Sequence, residues 1–149
     1  MPRPRQPLDM DQLLKALISA RRRGVPASRL ITHAPAIIEL LYPAEQYPNL
    51  TTQDRAKSAE NLIVAAADSL GEQARHLSSI LLCLTQETLF ATLQRRREMA
   101  AEHMGVLPGT WERGWREPQL FDDLATQIYR LHQADPDRHI PETAHPGMT

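Results

Sequence analysis

The sequence predicts an all-α fold: a single compact bundle of five to seven helices with a C-terminal helix-turn-helix-like unit. Three observations predict it. Apolar residues recur at three- and four-residue steps along the stretches between prolines. No run alternates apolar and polar residues long enough for a strand. The twelve prolines gather at residues 2–7, 26–48, 108–118 and 136–146, where they punctuate helices rather than interrupt them.

At 149 residues and 42% apolar composition the chain suits one domain with one core. Three parts are expected: a helical portion over 1–91, a helix-turn-helix-like unit and packing helix over 92–133 in the same domain, and a flexible tail over 134–149. The longest apolar runs, Leu62–Ala67 and Ile80–Leu84, fall far short of the roughly 20 residues that span a bilayer. The opening MPRPRQPLDMDQ is basic without an apolar run, so no export signal and no membrane contact are expected, and a cytoplasmic location follows. The single cysteine, Cys83, excludes an internal disulfide.

Each element follows in order. The first helix is expected from a cap at Asp9 to about Arg23, with Leu13, Leu14, Leu17 and Ile18 as its apolar stripe and Gly24 as its stop. Arg21, Arg22 and Arg23 complement the negative end of its dipole; as an alternative they contact a polyanion. Prolines 26, 35, 43 and 48 leave room for two short helices, over 28–32 and 36–41, burying Ile37, Ile38, Leu40 and Leu41. Thr51 or Thr52 caps a third region in which Ala56, Ala59, Ile63, Ala66, Ala67 and Leu70 keep helical spacing up to Gly71. Such an alanine-rich face lets helices approach closely. A further helix over 72–84 carries Ala74, Leu77, Leu81 and Leu84, with Cys83 as a small buried hydrophobe.

The most informative stretch is TLQRRREMAAEHMGVLPGTWERGWREPQLFDDLATQIYRL, residues 92–131. Thr92 caps a helix ending at Met104, Gly105 turns the chain, Val106 enters the core, and Pro108 pre-sets a second helix over 109–117. Small Ala101 before the glycine and apolar Trp111 after it meet the packing demands of a helix-turn-helix. Trp111 and Trp115 then share the inner face, and Glu112, Arg113 and Arg116 point outward. Glu117 precedes Pro118, so that helix ends and a new one starts with proline in its first turn. Phe121, Leu124, Ile128 and Leu131 form its buried stripe.

With Arg97, Ala100, Ala101, Gly105, Val106, Trp111, Arg113, Glu117, Leu124 and Ala125 in place, the segment resembles the C-terminal module of small, mostly uncharacterised actinobacterial all-helical proteins. It is similar, more distantly, to helix-turn-helix units of the sigma-factor and repressor type. The resemblance spans about 40 residues, implies a regulatory or adaptor role, and carries over no catalytic residue.

Catalytic and metal chemistry find no motif. His33, His76 and His103 are isolated in sequence, no HExxH pair occurs, and no glycine-rich phosphate loop is present. Neither an enzyme, a cofactor nor a metal ion is expected. Net charge is −1, yet residues 1–23 sum to +4, with a second basic cluster at Arg95, Arg96 and Arg97. Arg97 is expected to bury its stem with the head reaching water or an acid, for which Asp122 or Asp123 is the candidate. Arg95 and Arg96 are expected to be more exposed.

Two functions follow. In the first, the protein is a DNA-binding transcriptional regulator. Arg113 and Arg116 read guanine or phosphate, Glu112 accepts from cytosine and Thr110 contacts phosphate, while Arg95, Arg96 and the Pro-Arg-Pro-Arg arm hold the backbone of duplex DNA. A homodimer would then set the half-site spacing. In the second, the same residues are an ordinary solvated face and the protein is an adaptor that binds a protein partner.

Overall fold

The computed structural model of the protein describes residues 7–107 and 116–142, with only the backbone of Arg116. Among these residues the chain is all-helical. Its seven α-helices are α1 (Met10–Arg21), α2 (Ala27–His33), α3 (Pro35–Leu41), α4 (Thr52–Ser69), α5 (Glu72–Leu81), α6 (Leu93–Met104) and α7 (Arg116–Ala134), followed by a 3-10 turn at Pro136–His139.

The starts of these helices are written in their caps. The Asp9 carboxylate accepts from the amides of Asp11 and Gln12 at 2.8 and 3.1 Å. Thr51 Oγ1 accepts from Asp54 and Thr92 Oγ1 from Arg95, at 3.0 and 3.1 Å, satisfying amides that no helix carbonyl can reach. Pro35 opens α3, where a missing amide hydrogen costs nothing.

Helix α4 is the hub. It packs against α2, α3, α5 and α7, and its buried Ala56, Ala59, Ala66 and Ala67 give those neighbours close approach. Helix α1 lies on α3 and α7, and α6 lies on α5. The core joins Leu13 and Leu17 of α1, Leu30 of α2, Ile37 and Leu41 of α3, Leu62 and Ile63 of α4, and Phe121, Leu124 and Ile128 of α7.

Three boundaries differ from expectation. Helix α5 stops at Leu81 rather than Leu84, and Cys83 takes φ +59°. There the Leu82 carbonyl accepts from the Val25 amide at 3.0 Å and the Leu81 carbonyl from Arg96, so both serve partners from elsewhere in the fold. Glu117 does not end a helix over 109–117; it belongs to the first turn of α7, with Pro118 one residue further in. A carboxylate suits the positive end of a helix, and Pro118 sits where no amide hydrogen is needed. The rest of that expected helix lies outside the described residues. Finally, the described part of the segment expected to be a flexible tail, up to residue 142, docks. The Tyr42 hydroxyl donates to the Pro136 carbonyl at 2.7 Å and Asn61 Nδ2 to the His139 carbonyl at 3.0 Å, while Pro136 and Ile140 are buried.

One expected turn is in place. Gly105 closes α6 in the left-handed conformation at φ +70°, and the Val106 amide donates back to the Ala101 carbonyl at 3.0 Å.

Candidate interaction surface

The three consecutive arginines of α6 meet three different fates. Arg95 is exposed, and its guanidinium pairs along its own helix with Glu98 at 3.1 Å and Glu102 at 3.6 Å. The hydrogen bond it donates to Glu98 and the charge of Glu102 hold its pKa above the ordinary arginine value.

Arg96 corrects the expectation of an exposed, phosphate-ready side chain: it is 1% exposed. Its Nε donates to the Ala91 carbonyl at 3.2 Å, Nη2 to Arg22 O at 2.7 Å, and Nη1 to Arg21 O at 2.8 Å and to Leu81 O. The physical reason is that α1 and α5 end side by side. Their last carbonyls carry partial negative charge and lack helical donors, and one guanidinium fork serves both ends. Burial pushes the Arg96 pKa down.

Arg97 has its stem half-buried as expected, but its acid is Glu117 and not Asp122 or Asp123, which are exposed on α7. Arg97 Nε and Nη2 reach the two Glu117 oxygens at 3.2 and 3.0 Å. Arg21 Nη1 donates to the same carboxylate at 2.9 Å and its guanidinium lies 5.5 Å from the centre of the Phe121 ring. Glu117 faces inward because it sits in the first turn of α7, opposite both α1 and α6. Burial depresses the Arg21 pKa, an effect that Glu117 partly offsets.

What remains open is a groove of about 560 Å³ where α1 ends and α6 begins. It is lined by Ile18, Ser19, Arg21, Arg22, Arg23, Thr92 and Leu93. Beside it Arg29 Nη1 donates to the Arg23 carbonyl at 2.9 Å, and the same guanidinium lies 5.8 Å from the centre of the Phe90 ring. Phe90 is 89% exposed. The basic cluster of Arg21, Arg22 and Arg23 is legible in the sequence, whereas Phe90 and Arg29 join it only through the fold. The signal for Phe90 is an aromatic residue in TQETLFATL, a stretch without helical periodicity. A second hollow of about 640 Å³ between α1 and α3 is lined by Gln12, Lys15, Ala16, Ser19, Ala36, Glu39 and Leu40. Its one acid, Glu39, is engaged by Arg55 at 2.6 Å.

Thr110, Glu112 and Arg113 lie outside the described residues, as do Trp111 and Trp115, and Arg116 is placed only as the first residue of α7. The fold brings His76 and His103 together, ring centres 5.1 Å apart, on the exposed side of α5 and α6. Among the described residues no group of three or more His, Cys, Asp or Glu side chains is placed to hold a metal ion. No described helix is long and apolar enough to cross a membrane. Comparison of the chain with protein-family models, with curated proteins and with solved structures found no match.

Proposed function

We propose that the protein is a non-enzymatic, cytoplasmic interaction module that binds another protein. The observation that carries this reading is the fate of the α6 arginines: Arg96 is enclosed by carbonyls, Arg97 is committed to Glu117, and Arg95 is neutralised along its helix. A helix so occupied offers little net positive charge to a phosphate backbone, whose neutralisation supplies most of the affinity in DNA binding. Two of the three large hydrophobic side chains exposed among the described residues, Ile18 and Phe90, lie on the arginine face instead. Aromatic and arginine side chains at one surface are typical of the energetic centres of protein interfaces.

A second reading keeps duplex DNA as the partner, with Arg113 and Arg116 in the major groove, supported by Glu112, Thr110 and Arg95. The left-handed Gly105 beyond buried Ala101 favours it, since a helix-turn-helix needs that turn. Electrophoretic mobility shift with random-sequence duplex in about 50 mM salt separates the two. The protein-binding reading expects no shift. Retarded duplex whose affinity falls with salt at a slope near −0.9 per phosphate, and which Arg113→Ala with Arg116→Ala releases, replaces it by the DNA reading.

A further inference from the structure

We propose that the groove between the end of α1 and the start of α6 receives an acidic segment of a partner protein, with an apolar side chain of that segment seated against Ile18, Leu93 and Phe90. This deepens the protein-binding reading and rests on it.

Charge sets the first half of the specificity. Arg22, Arg23 and Arg29 have no carboxylate partner among the described residues, and none of the groove's lining residues is acidic. Arg22 and Arg23 line the hollow and Arg29 stands beside it, so an incoming carboxylate gains charge-assisted, bidentate hydrogen bonds there. Apolar surface sets the second half. Ile18 is 38% exposed on a helix whose other aliphatic residues turn inward, and Phe90 is almost wholly in water. The cation of Arg29 lies against the Phe90 ring and leaves the rest of that side chain for a visitor.

The frame under the groove is fixed in advance. Arg96 ties the carbonyls of Arg21 and Arg22 to the end of α5, and the Val25 amide bonds the Leu82 carbonyl at 3.0 Å. Binding therefore orders side chains but not backbone, which keeps its entropic cost low. A nucleic acid fits less well: the next exposed cation along α6, Arg95, already faces two glutamates, so the positive surface ends where a phosphate chain would need it to continue.

The test uses the full chain and a fluorescein-labelled peptide of about twelve residues, Asp- and Glu-rich with one Phe and one Leu, read by fluorescence anisotropy. Saturable binding is expected. It should weaken by at least about tenfold when the peptide's acids become Asn and Gln, and also on Arg22→Glu with Arg23→Glu. Phe90→Ser should weaken it by about fivefold or more, whereas Arg75→Glu and Arg130→Glu, exposed on α5 and α7, should leave it within about twofold. Circular dichroism and urea midpoints of each variant separate a lost site from a lost fold. No binding at millimolar peptide, or equal binding of the uncharged peptide, overturns the proposal. Binding that ignores Arg22, Arg23 and Phe90 overturns this surface but leaves the protein-binding reading standing. Displacement of the peptide by duplex or single-stranded DNA, itself sensitive to Arg22→Glu with Arg23→Glu, overturns both.

Discussion

Arg21 Nη1 of α1 lies 2.9 Å from the carboxylate of Glu117 on α7, across 96 positions of sequence. Arg97 of α6 grips the same carboxylate from the other side. One acid thus ties the first, sixth and seventh helices, and it is the last residue of the stretch expected to form the outward helix.

Removing that acid should destabilise the fold more than a surface pair would. Glu117 is 8% exposed, but Arg21 and Arg97 keep 22% and 26% of their surface, so the roughly 3–5 kcal/mol of a fully buried broken pair is discounted to about 2–3 kcal/mol for Glu117→Leu. Urea denaturation of Glu117→Leu, Arg97→Leu and the double variant measures the coupling. Additive losses would mean that the two groups do not interact energetically.

Arg96 makes the sharper case. Its replacement by leucine strands the buried Leu81 carbonyl and part-buried carbonyls of Arg21, Arg22 and Ala91, at up to about 1–3 kcal/mol for each left without a donor. A loss of at least about 3 kcal/mol is expected on that basis. Lysine keeps the charge but not the planar fork, so Arg96→Lys should restore less than half of it. Chemical denaturation monitored by circular dichroism gives both values, and a fully restored lysine variant would show that charge alone matters.

Two glycines with positive φ should respond differently to alanine. At Gly105 nothing lies within 4 Å of an added Cβ, so Gly105→Ala carries only left-handed strain, about 1–2 kcal/mol. At Gly24 the new Cβ would meet Cys83 Cβ at 2.6 Å, so overpacking of about 1–3 kcal/mol adds to the strain. Thermal melts should rank Gly24→Ala well below Gly105→Ala; the reverse order would contradict the tight crossing of the two helix exits.

The docked C-terminal turn is testable through Tyr42, whose buried hydroxyl holds the Pro136 carbonyl. Tyr42→Phe should cost about 1–3 kcal/mol, because the carbonyl loses its donor inside the fold. Hydrogen exchange should show faster opening of residues 135–140 in that variant. Unchanged exchange would mean that the turn is held by burial of Pro136 and Ile140 alone.

His139 gives the turn a pH dependence. Burial, reinforced by Arg138, lowers its pKa in the folded protein. The unfolded chain then binds a proton at higher pH than the folded one, so stability is fully present above the unfolded histidine value near 6.5 and declines as pH falls below it. Unfolding midpoints between about pH 7 and 5 should fall for the native chain and fall less for His139→Gln. Parallel curves would remove His139 as the cause.

Helix existence was legible because caps and spacing are local. Asp9, Thr51 and Thr92 announce helix starts, Gly24, Gly71 and Gly105 announce stops, and alanine spacing marks the face of α4. Burial of apolar stripes follows from solvent exclusion alone, so Leu13, Ile37, Ile63 and Leu124 could be placed in the core from the sequence. Burial of a charge does not. Whether Arg95, Arg96 or Arg97 turns inward depends on two helix C-termini and one carboxylate, each more than ten residues away along the chain, meeting at one point. Only the tertiary arrangement brings those acceptors together, and with them it decides which arginines remain free to touch another molecule.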